Sequence, residues 1–486
     1  MASDGHVTAT PLLLSSDDSD AMPESATWNI YALACATLAS MTTTLMGYNL
    51  ALMSGAQLFI QEDLGLTDEQ VEVLAGSINV FMLVSILAAG WTADTLGRRG
   101  TLVLANAFLM AGALAMSLGA SYAHLMAARF VTSVGAGFAR VIAPVYNAEI
   151  SPASTRGVLS SLVDIFVNVG ILLSYVSNYA FAGMPVHLGW RVMCAAGAIP
   201  PVFLAAAVGF MPESPRWLAM RGRYVEAHTV LLGTSGSRAE ADLRLEEIKL
   251  AVKAPHSGGG AAGGVWKKLL VRPSASVRRI ITCAAGLQFF QHAVGTEVIV
   301  LYSPLVLKEA GVSSDAAALG ATVAMGVVKT FFILVATFLS DRVGRRPLLL
   351  ASTAGATVAM ATLALMLMLT LYAGETSPMR AAASLASLLA FAAAFSIGLG
   401  PVVPTYSTEI LPLPLRAQGT GLGTAVNRLT SGVVSMTFIS LANVITMPGC
   451  FLLYASMGVA ACVFMHAQIP ETRGRSLENM EELFAR

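Results

Sequence analysis

Charged residues are scarce in this chain, and that scarcity excludes most kinds of soluble protein. Asp, Glu, Lys and Arg make up only 12% of the 486 residues, about half of the roughly 25% that is typical of soluble globular domains. Hydrophobic residues make up 55% of the chain, and its mean hydropathy is +0.69. So few charges could not cover the surface of two or three soluble domains, and the composition therefore predicts a membrane protein.

Other absences exclude nucleic-acid binding and enzyme chemistry. The 29 basic and 29 acidic residues balance, so no net positive charge is available to attract a phosphate backbone. The cysteines lie in apolar stretches without paired spacing, which indicates neither a zinc site nor a disulfide framework. They are Cys35, Cys194, Cys283, Cys450 and Cys462. We find no nucleophile–base pair, metal-ligand cluster or phosphate-binding loop in the sequence, and expect no enzyme activity, cofactor or metal site.

Apolar stretches of about 20 residues recur from Trp28 onward, and each is long enough to cross about 30 Å of hydrocarbon as a helix. They begin near residues 28, 70, 101, 124, 159 and 190, and again near 279, 316, 347, 381, 418 and 449. The sequence therefore predicts an all-α integral membrane protein with about twelve transmembrane helices.

Composition divides the chain into five segments. Residues 1–27 are polar and acidic, with no basic region before an apolar core, which indicates a disordered cytosolic tail and not a signal peptide. Residues 212–278 combine a charged helical pattern with the run "HSGGGAAGG", which is typical of a cytosolic linker with short helices. Two six-helix bundles, 28–211 and 279–469, and a cytosolic tail, 470–486, complete the prediction.

Loop charges predict the orientation in the membrane. One set of alternate loops contains "DTLGRRG" and "DRVGRRP", whereas the other contains "QEDLGLTDEQVE" and "KEAGVSSD". Because Lys and Arg are retained on the cytoplasmic side, both termini of this multi-pass protein are predicted to be cytoplasmic. The plasma membrane is the favoured location, and the vacuolar membrane is the alternative.

Three motifs occur twice, in the same order. "DTLGRR" returns as "DRVGRR", "YNAEISPASTRG" as "YSTEILPLPLRAQG", and "PESPR" as "PETRGR". The acidic residues of the second copies follow those of the first by 247, 260 and 258 residues. This repetition indicates a duplicated six-helix half. Paired halves around a site near the bilayer centre are the architecture of a large class of secondary transporters.

These motifs, with "PESPRWL", "Y-x-x-E-I-x-P" and "PETRG", resemble the signatures of the sugar porters of the major facilitator superfamily over about residues 30 to 485. Segments such as "LLSYVSNYAF" and "GVVKTFFILVATFLSDRVGRRPLLL" are most similar to the plant polyol and monosaccharide transporters. The resemblance implies a major facilitator fold that moves a sugar or polyol through the lipid bilayer by alternating access. We expect the protein to act as a monomer.

The charges of the repeated motifs form a candidate gate at the cytosolic helix ends. Ion pairs between the halves would hold this side shut and would break when it opens. The alternative is a set of charges that only sets the topology. Because an exposed pair contributes about 0–1 kcal/mol, only a network could act as a latch. The candidates are Asp94, Arg98, Arg99, Glu149, Arg156, Glu213, Asp341, Arg345, Arg346, Glu409, Arg416 and Glu471.

Polar side chains inside the apolar stretches indicate a substrate site, because a charge at the centre of a membrane helix costs about 2.5–3.5 kcal/mol. Counted from the charged helix ends, several lie about 12–18 Å deep. They are Asp164, Asn168, Gln288, Gln291, Lys329 and Asn427. Amides and carboxylates suit a polyhydroxylated ligand, whose hydroxyl groups both donate and accept hydrogen bonds.

The resemblance implies sugar contacts for some of these residues. Gln288 and Gln291 match the porters' helix 7 pattern, and Asn427 matches their helix 11 asparagine. Asp164 occupies the usual helix 5 position of a glutamine or glutamate, where helix–helix hydrogen bonding is the alternative. Arg140, on the preceding helix, is a charge that Asp164 is placed to neutralise.

Other positions depart from the family pattern. His292 replaces a second glutamine, and a packed or pore-lining imidazole is favoured there over a ligand. Glu297 replaces an amide or Asp, and is a candidate for an intramembrane ion pair with Lys329. Pro404 replaces the helix 10 tryptophan, which favours a break in that helix and a wider pocket, better suited to linear polyols. A neighbouring aromatic that fills the gap, such as Phe395 or Tyr406, is the alternative.

One departure concerns proton coupling. Family proton symporters commonly carry an Asp where this chain has Asn49, paired with a helix 4 arginine, here Arg129, at similar depth. An amide cannot release a proton, so passive uniport is favoured. The alternatives are proton symport through Asp164 or Glu297, and a sugar sensor that transports poorly.

Overall fold

The computed structural model describes residues 29–152, 155–253, 275–373, 377–411 and 415–472, without the side chains of a few residues, among them Arg156, Asp341 and Arg416. All regular secondary structure in these ranges is helical, in keeping with the all-α prediction. The predicted tail at 1–27 and most of the tail at 470–486 lie outside the described residues.

Seven helices make up the first half of the described chain. They are α1 (Ile30–Ala51), α2 (Met53–Leu64), α3 (Asp68–Ser117), α4 (Tyr122–Ile150), α5 (Arg156–Phe181), α6 (Val186–Ala196) and α7 (Ile199–Phe210). Three shorter helices follow. They are α8 (Pro215–Met220), α9 (Tyr224–Thr234) and α10 (Arg238–Lys253).

Eight helices make up the second half. They are α11 (Ala275–Ala293), α12 (Thr296–Glu309), α13 (Asp315–Val343), α14 (Arg345–Ala373), α15 (Pro378–Ile397), α16 (Leu399–Glu409), α17 (Arg416–Ile445) and α18 (Met447–Gln468). In the described residues, 11 helical runs are long and apolar enough to cross a membrane. One of them, α3, is 50 residues long and breaks at Gly97, so it crosses twice. The prediction of about twelve crossings is therefore confirmed.

The first "D-x-x-G-R-R" motif is a sharp turn between two membrane crossings. Gly97 has a φ of 85°, in a region where glycine avoids the steric penalty of a Cβ. The next two backbone N–H groups, of Arg98 and Arg99, donate to the Glu213 carboxylate at 2.9 and 3.1 Å. A carboxylate at this position satisfies free N–H groups and complements the positive end of the helix dipole.

The second copy repeats this geometry. Gly344 has a φ of 102°, and the backbone N–H groups of Arg345 and Arg346 donate to Glu471 at 3.1 and 3.0 Å. The sequence repeat thus encodes the same turn and the same helix start in both halves. We call the end of the bundle that carries both turns the arginine side.

The opposite end holds the two halves together. Gln57 Nε2 donates to the carbonyl of Leu301 at 2.9 Å, and the Tyr175 hydroxyl donates to the carbonyl of Val300 at 2.9 Å. The Val300 carbonyl has lost its helical donor because Pro304 has no N–H, so Tyr175 replaces that hydrogen bond from the other half. We call this end the sealed side.

A third contact on the sealed side involves a buried acid. Glu72 on α3 is 2% exposed, and its carboxylate accepts from the backbone N–H and the hydroxyl of Ser440 on α17 at 2.7 and 3.1 Å. Nearby, a Cβ on Gly76 would lie 2.6 Å from the Ser435 hydroxyl oxygen. Small residues therefore bring α3 and α17 into close contact, as is common between membrane helices.

Two central crossings break, one of them not where the sequence indicated. The seventh crossing breaks at Gly295, which has a φ of 87° and separates α11 from α12. The tenth breaks at Gly398 and not at Pro404, which lies inside α16. The Ser352 hydroxyl, from α14, accepts from the Leu399 N–H at 2.9 Å at this break. Pro404 removes one helical hydrogen bond, but α16 continues through it.

Helices α8 to α10 pack on the arginine side of the first half. The guanidinium of Arg221 donates to the carbonyl of Asp94 at 3.0 Å, and that of Arg244 to the carbonyl of Ser151 at 3.0 Å. These helices lie in the predicted linker at 212–278, of which 254–274 lie outside the described residues.

Candidate functional site

A cavity of about 400 Å³ lies between the two halves and extends from the centre of the bundle toward the arginine side. Its wall contains every residue that the sequence predicted for the substrate site. They are Asp164, Asn168, Gln288, Gln291, His292, Glu297, Pro404 and Asn427, together with Lys329. The two halves therefore bring these residues into one place, although they lie on five different membrane crossings.

Three buried amides in the cavity wall bind one another. The Asn427 amide nitrogen donates to the side-chain oxygens of Gln288 and Gln291 at 2.8 and 2.7 Å. The Gln288 amide nitrogen lies 3.4 Å from the hydroxyl oxygen of Ser407, which makes this the weakest bond of the group. We call Gln288, Gln291 and Asn427 the amide cluster. Each of them is less than a tenth exposed.

Pro404 shapes the amide cluster through the backbone. Because Pro404 lacks an N–H, the carbonyl of Gly400 has no helical donor. The Gln291 amide nitrogen donates to that carbonyl at 3.1 Å and to the carbonyl of Leu399 at 2.8 Å. Pro404 therefore helps to hold Gln291 in place as well as leaving space in the cavity.

An aromatic ring lies near the space left by the missing tryptophan. Phe395 lines the cavity, and its ring stacks on Phe391 with centroids 6.1 Å apart. Tyr406 points away from the cavity, because its hydroxyl donates to the carbonyl of Pro470 on the arginine side at 2.8 Å. Of the two aromatics considered from the sequence, Phe395 is the one that lines the site.

The sequence reasoning missed Arg428. It lines the cavity and is 7% exposed. Its Nε and Nη2 donate to the Asn427 side-chain oxygen at 3.0 and 2.6 Å, and its Nη1 donates to the side-chain oxygen of Asn79 at 3.0 Å. The signal was present, because an arginine inside an apolar stretch is costly and calls for a function.

Glu297 lies beside His292, and Lys329 is farther away. Nδ1 of His292 is 3.2 Å from a carboxylate oxygen of Glu297, across the break at Gly295. In the described part of the chain, no ion pair within 4.0 Å joins Glu297 to Lys329, so the direct pair predicted from sequence is absent. The Lys329 nitrogen lies instead 5.9 Å from the centre of the Phe395 ring.

Asp164 and Arg140 form an ion pair in the cavity wall, as the sequence indicated. Their closest atoms are 3.4 Å apart, and both side chains are partly exposed to the cavity. Asn168, one turn along α5, donates its amide hydrogen to the backbone carbonyl of Asp164 at 2.8 Å. Asp164 and Asn168 thus belong to the wall that the first half contributes.

Asn49 and Arg129 meet through the backbone and not through the asparagine side chain. Arg129 is 1% exposed, and its guanidinium donates to the carbonyls of Asn49 and Ala75 at 2.9 and 3.2 Å. The Asn49 amide donates to the carbonyl of Leu45 at 2.9 Å. Within the described ranges, no carboxylate lies within 4.0 Å of Arg129, so this buried cation is held by backbone dipoles.

The candidate gate charges pair within each half. Arg98 binds Glu149 through two nitrogens at 3.0 and 3.1 Å, and Arg98 also lies 3.4 Å from Asp94. In the second half, Arg345 binds Glu409 at 3.2 Å.

The other gate candidates bind backbone groups or lie outside the described set. Arg99 donates to the carbonyl of Met211 at 3.1 Å, and Arg346 to that of His466 at 2.8 Å. The side chains of Arg156, Asp341 and Arg416 are not among those described. The ion pairs found among the described side chains on the arginine side lie within one half or the other, so an ion pair between the halves stays a prediction. The cavity opens there and separates the halves.

Comparisons with known proteins agree with this fold. The family model described as "Sugar (and other) transporter" matches residues 35–484. Polyol transporter 5 of Arabidopsis thaliana is 48% identical over 94% of this chain and 87% of its own length. Glucose transporter GlcP of Staphylococcus epidermidis is 31% identical over 91% of this chain and 95% of its own length.

Solved structures of transporters are also similar to this chain. The partially occluded, inward-open conformation of the xylose transporter XylE from E. coli has a TM-score of 0.76 and 25% sequence identity. The match covers 91% of this chain and 100% of that one. The curated relatives are named as transporters and not as enzymes. The resemblance seen in the repeated motifs is therefore confirmed, and the chain belongs to the sugar porter family of the major facilitator superfamily.

Proposed function

We propose that this protein carries a monosaccharide or a linear polyol across a membrane by alternating access, as a passive uniporter. The observation that carries this proposal is the central cavity of about 400 Å³, whose wall includes the amide cluster. Amides both donate and accept hydrogen bonds, so they match the hydroxyl groups around a sugar or polyol. The names of the curated relatives, a polyol transporter and a glucose transporter, support this substrate class.

The arginine side faces the cytosol in this proposal, because Lys and Arg are retained on that side of a membrane. The cavity then opens inward, and both termini are cytosolic. The plasma membrane remains the favoured location. Transport requires the cavity to open on the other side, so the bonds from Gln57 and Tyr175 to the second half must break. Ion pairs between the halves on the arginine side would form as that side closes.

Passive transport is supported by Asn49, which leaves Arg129 without an acidic side chain at the position where the family's proton symporters carry one. We expect uptake of a labelled sugar or polyol into proteoliposomes to be unchanged by a protonophore and to stop at equal concentrations. The matched variant Asn49→Asp introduces a carboxyl group next to the Arg129 site and is expected to make uptake dependent on pH.

Proton symport is the second candidate, and the close approach of Glu297 and His292 in the cavity wall favours it. Concentrative uptake by the unmodified protein, abolished by a protonophore, would establish it in place of uniport. Glu297→Gln and Asp164→Asn would then show which acid carries the proton. Saturable binding of a labelled sugar or polyol without its uptake would indicate a sensor instead.

Substrate preference is expected to depend on Pro404. Pro404→Trp adds a flat apolar wall with an N–H donor to the cavity, which favours a ring-shaped sugar over a flexible chain. We expect the affinity for a hexose to rise about tenfold more than that for sorbitol or mannitol, since aromatic contacts contribute about 0.5–1.5 kcal/mol beyond the area they bury. Competition against a bound labelled substrate measures both affinities.

Two control variants test whether the tryptophan ring itself, and not another consequence of replacing Pro404, changes the substrate preference. Pro404→Ala restores the backbone N–H that competes with Gln291 for the Gly400 carbonyl, without adding a ring. Thr405→Trp adds the same ring to a neighbouring exposed position outside the cavity wall. If Pro404→Ala shifts the preference as much as Pro404→Trp does, position 404 acts through the backbone and not through the missing aromatic wall.

A further inference from the structure

Arg428 joins the two halves at the inner end of the cavity. Its guanidinium binds the side-chain oxygen of Asn427 in its own half and that of Asn79 on α3 in the first half. Among the described residues, no carboxylate lies within 4.0 Å of Arg428. The position of this buried cation is therefore set by two amide oxygens, one from each half.

Arg428 also fixes the direction of the hydrogen bonds in the amide cluster. A guanidinium only donates, so the Asn427 side chain must turn its oxygen toward Arg428 and its nitrogen toward the glutamines. That nitrogen then donates hydrogen bonds to the side-chain oxygens of Gln288 and Gln291. Without the guanidinium, the Asn427 amide is free to rotate, and the cluster loses its single arrangement.

Asn79 lies where the halves must separate. A Cβ on Gly432 would lie 2.6 Å from the Val80 side chain, and one on Gly76 would lie 2.6 Å from the Ser435 hydroxyl oxygen. The segment of α3 around Asn79 is thus in direct contact with α17. When the sealed side opens, α3 moves away from α17, and Arg428 loses the bond from its Nη1 to Asn79.

We infer that Arg428 is a positioning residue that couples closure of the sealed side to the arrangement of the amide cluster. While Asn79 holds the guanidinium, Asn427 is oriented, and when the sealed side opens that orientation is released. The substrate site therefore differs between the two conformations, so a substrate would bind them with different affinities. Such a difference in affinity is what couples binding to a conformational change. The inference rests on the proposed alternating-access function and adds a residue and a linkage to it.

The test strengthens the bond between the halves without changing its shape. Asn79→Asp gives Arg428 a carboxylate partner and adds the attraction between two full charges to a hydrogen bond whose donor is already charged. We expect the maximum transport rate to fall about fivefold to tenfold, with little change in substrate affinity in the conformation described here. Arg428→Met, which removes the guanidinium, is expected to weaken substrate binding about tenfold or more, and Arg428→Lys is expected to restore part of it.

The labelling rate of an introduced cysteine measures opening of the sealed side without any substrate. Ser435 is fully buried against α3, so Ser435→Cys is expected to react with a maleimide only when the sealed side opens. Asn79→Asp is expected to slow that labelling by about the same factor as transport, and Asn79→Ala to speed it. The same protein without Ser435→Cys corrects for the native cysteines. If the proposed function fails and no sugar or polyol is carried, the labelling comparison still tests the coupling.

A matched substitution on the same helix is the control. Asn106 is also buried on α3, but its amide binds Thr42 and Leu102 within the first half. Asn106→Asp is expected to leave the labelling rate of Ser435→Cys unchanged. The inference is overturned if Asn79→Asp has no effect in folded protein, if Asn106→Asp has the same effect, or if Asn79→Asp still slows labelling when Arg428 is methionine.

Discussion

Glu149→Gln is expected to lower the free energy of unfolding by about 3 kcal/mol, at the low end of the range for breaking a buried ion pair. Two nitrogens of the Arg98 guanidinium donate to the Glu149 carboxylate. The side chains of Glu149 and Arg98 are only 9% and 10% exposed. The substitution leaves the Arg98 charge buried, with only the exposed Asp94 3.4 Å away. Thermal unfolding of the purified protein in detergent measures the loss.

Two further Arg–Glu pairs provide a graded control. Arg345 and Glu409 form the equivalent pair in the second half, with side chains 19% and 21% exposed. Because this pair is less buried, Glu409→Gln is expected to lower the free energy of unfolding by less than Glu149→Gln does. Arg223, the residue before α9, and Glu226, in the first turn of α9, have side chains that are 50% and 55% exposed. Glu226→Gln is expected to have no measurable effect. Equal losses from all three substitutions would show that burial does not determine the contribution of these pairs.

The helices and their breaks were predictable to different degrees. Membrane crossings follow from the local run of apolar residues, so the sequence located about twelve of them to within a few residues. The turns at Gly97 and Gly344 were visible because the motif occurs twice. The break at Gly398 was assigned to Pro404 instead, because it depends on Ser352, a residue of another helix that the local sequence does not reveal.

The contents of the site were predictable, but the contacts within it were not. Depth counting placed polar residues at the centre because their distance from a helix end is set by the rise per residue. It gave no side-chain direction, so Glu297 was paired with Lys329 when His292 is closer. The family pattern includes Asn427 but not Arg428, so the resemblance did not indicate the arginine.

The gate prediction depends on conformation and not only on sequence. A carrier that alternates between two conformations has two sets of contacts, and one sequence encodes both. The structure has its cavity open on the arginine side, where Arg98 and Arg345 pair within their own halves. Ion pairs between the halves would form in the other conformation, and they stay a prediction.

Glu297→Gln is expected to have the largest effect on transport and to destabilise the protein. Besides Glu297, the cavity wall contains the charged residues Arg140, Asp164, Lys329 and Arg428. Because Asp164 forms an ion pair with Arg140, Glu297 is left to balance the charges of Lys329 and Arg428. Its side chain is 5% exposed. Its removal leaves an excess of two positive charges in the cavity wall, and because neither Lys329 nor Arg428 is in direct contact with Glu297, we expect a loss below the about 3–5 kcal/mol that is typical of breaking a buried ion pair. Thermal stability and uptake are both expected to fall.

Lys329→Met in the Glu297→Gln background is expected to recover part of that stability, because it removes one of the two uncompensated cations. Lys329 and Glu297 are not in direct contact, so any recovery would show that their charges interact across the cavity. His292→Gln is the matched control. It replaces the side chain nearest Glu297 with a neutral amide and leaves every permanent charge in place, so we expect a smaller loss than for Glu297→Gln. Strictly additive losses from Glu297→Gln and Lys329→Met, together with a large loss from His292→Gln, would assign the stabilisation of Glu297 to the histidine. A rescue by Lys329→Met assigns it to the balance of charge in the cavity, which is the outcome that the arrangement of these residues predicts.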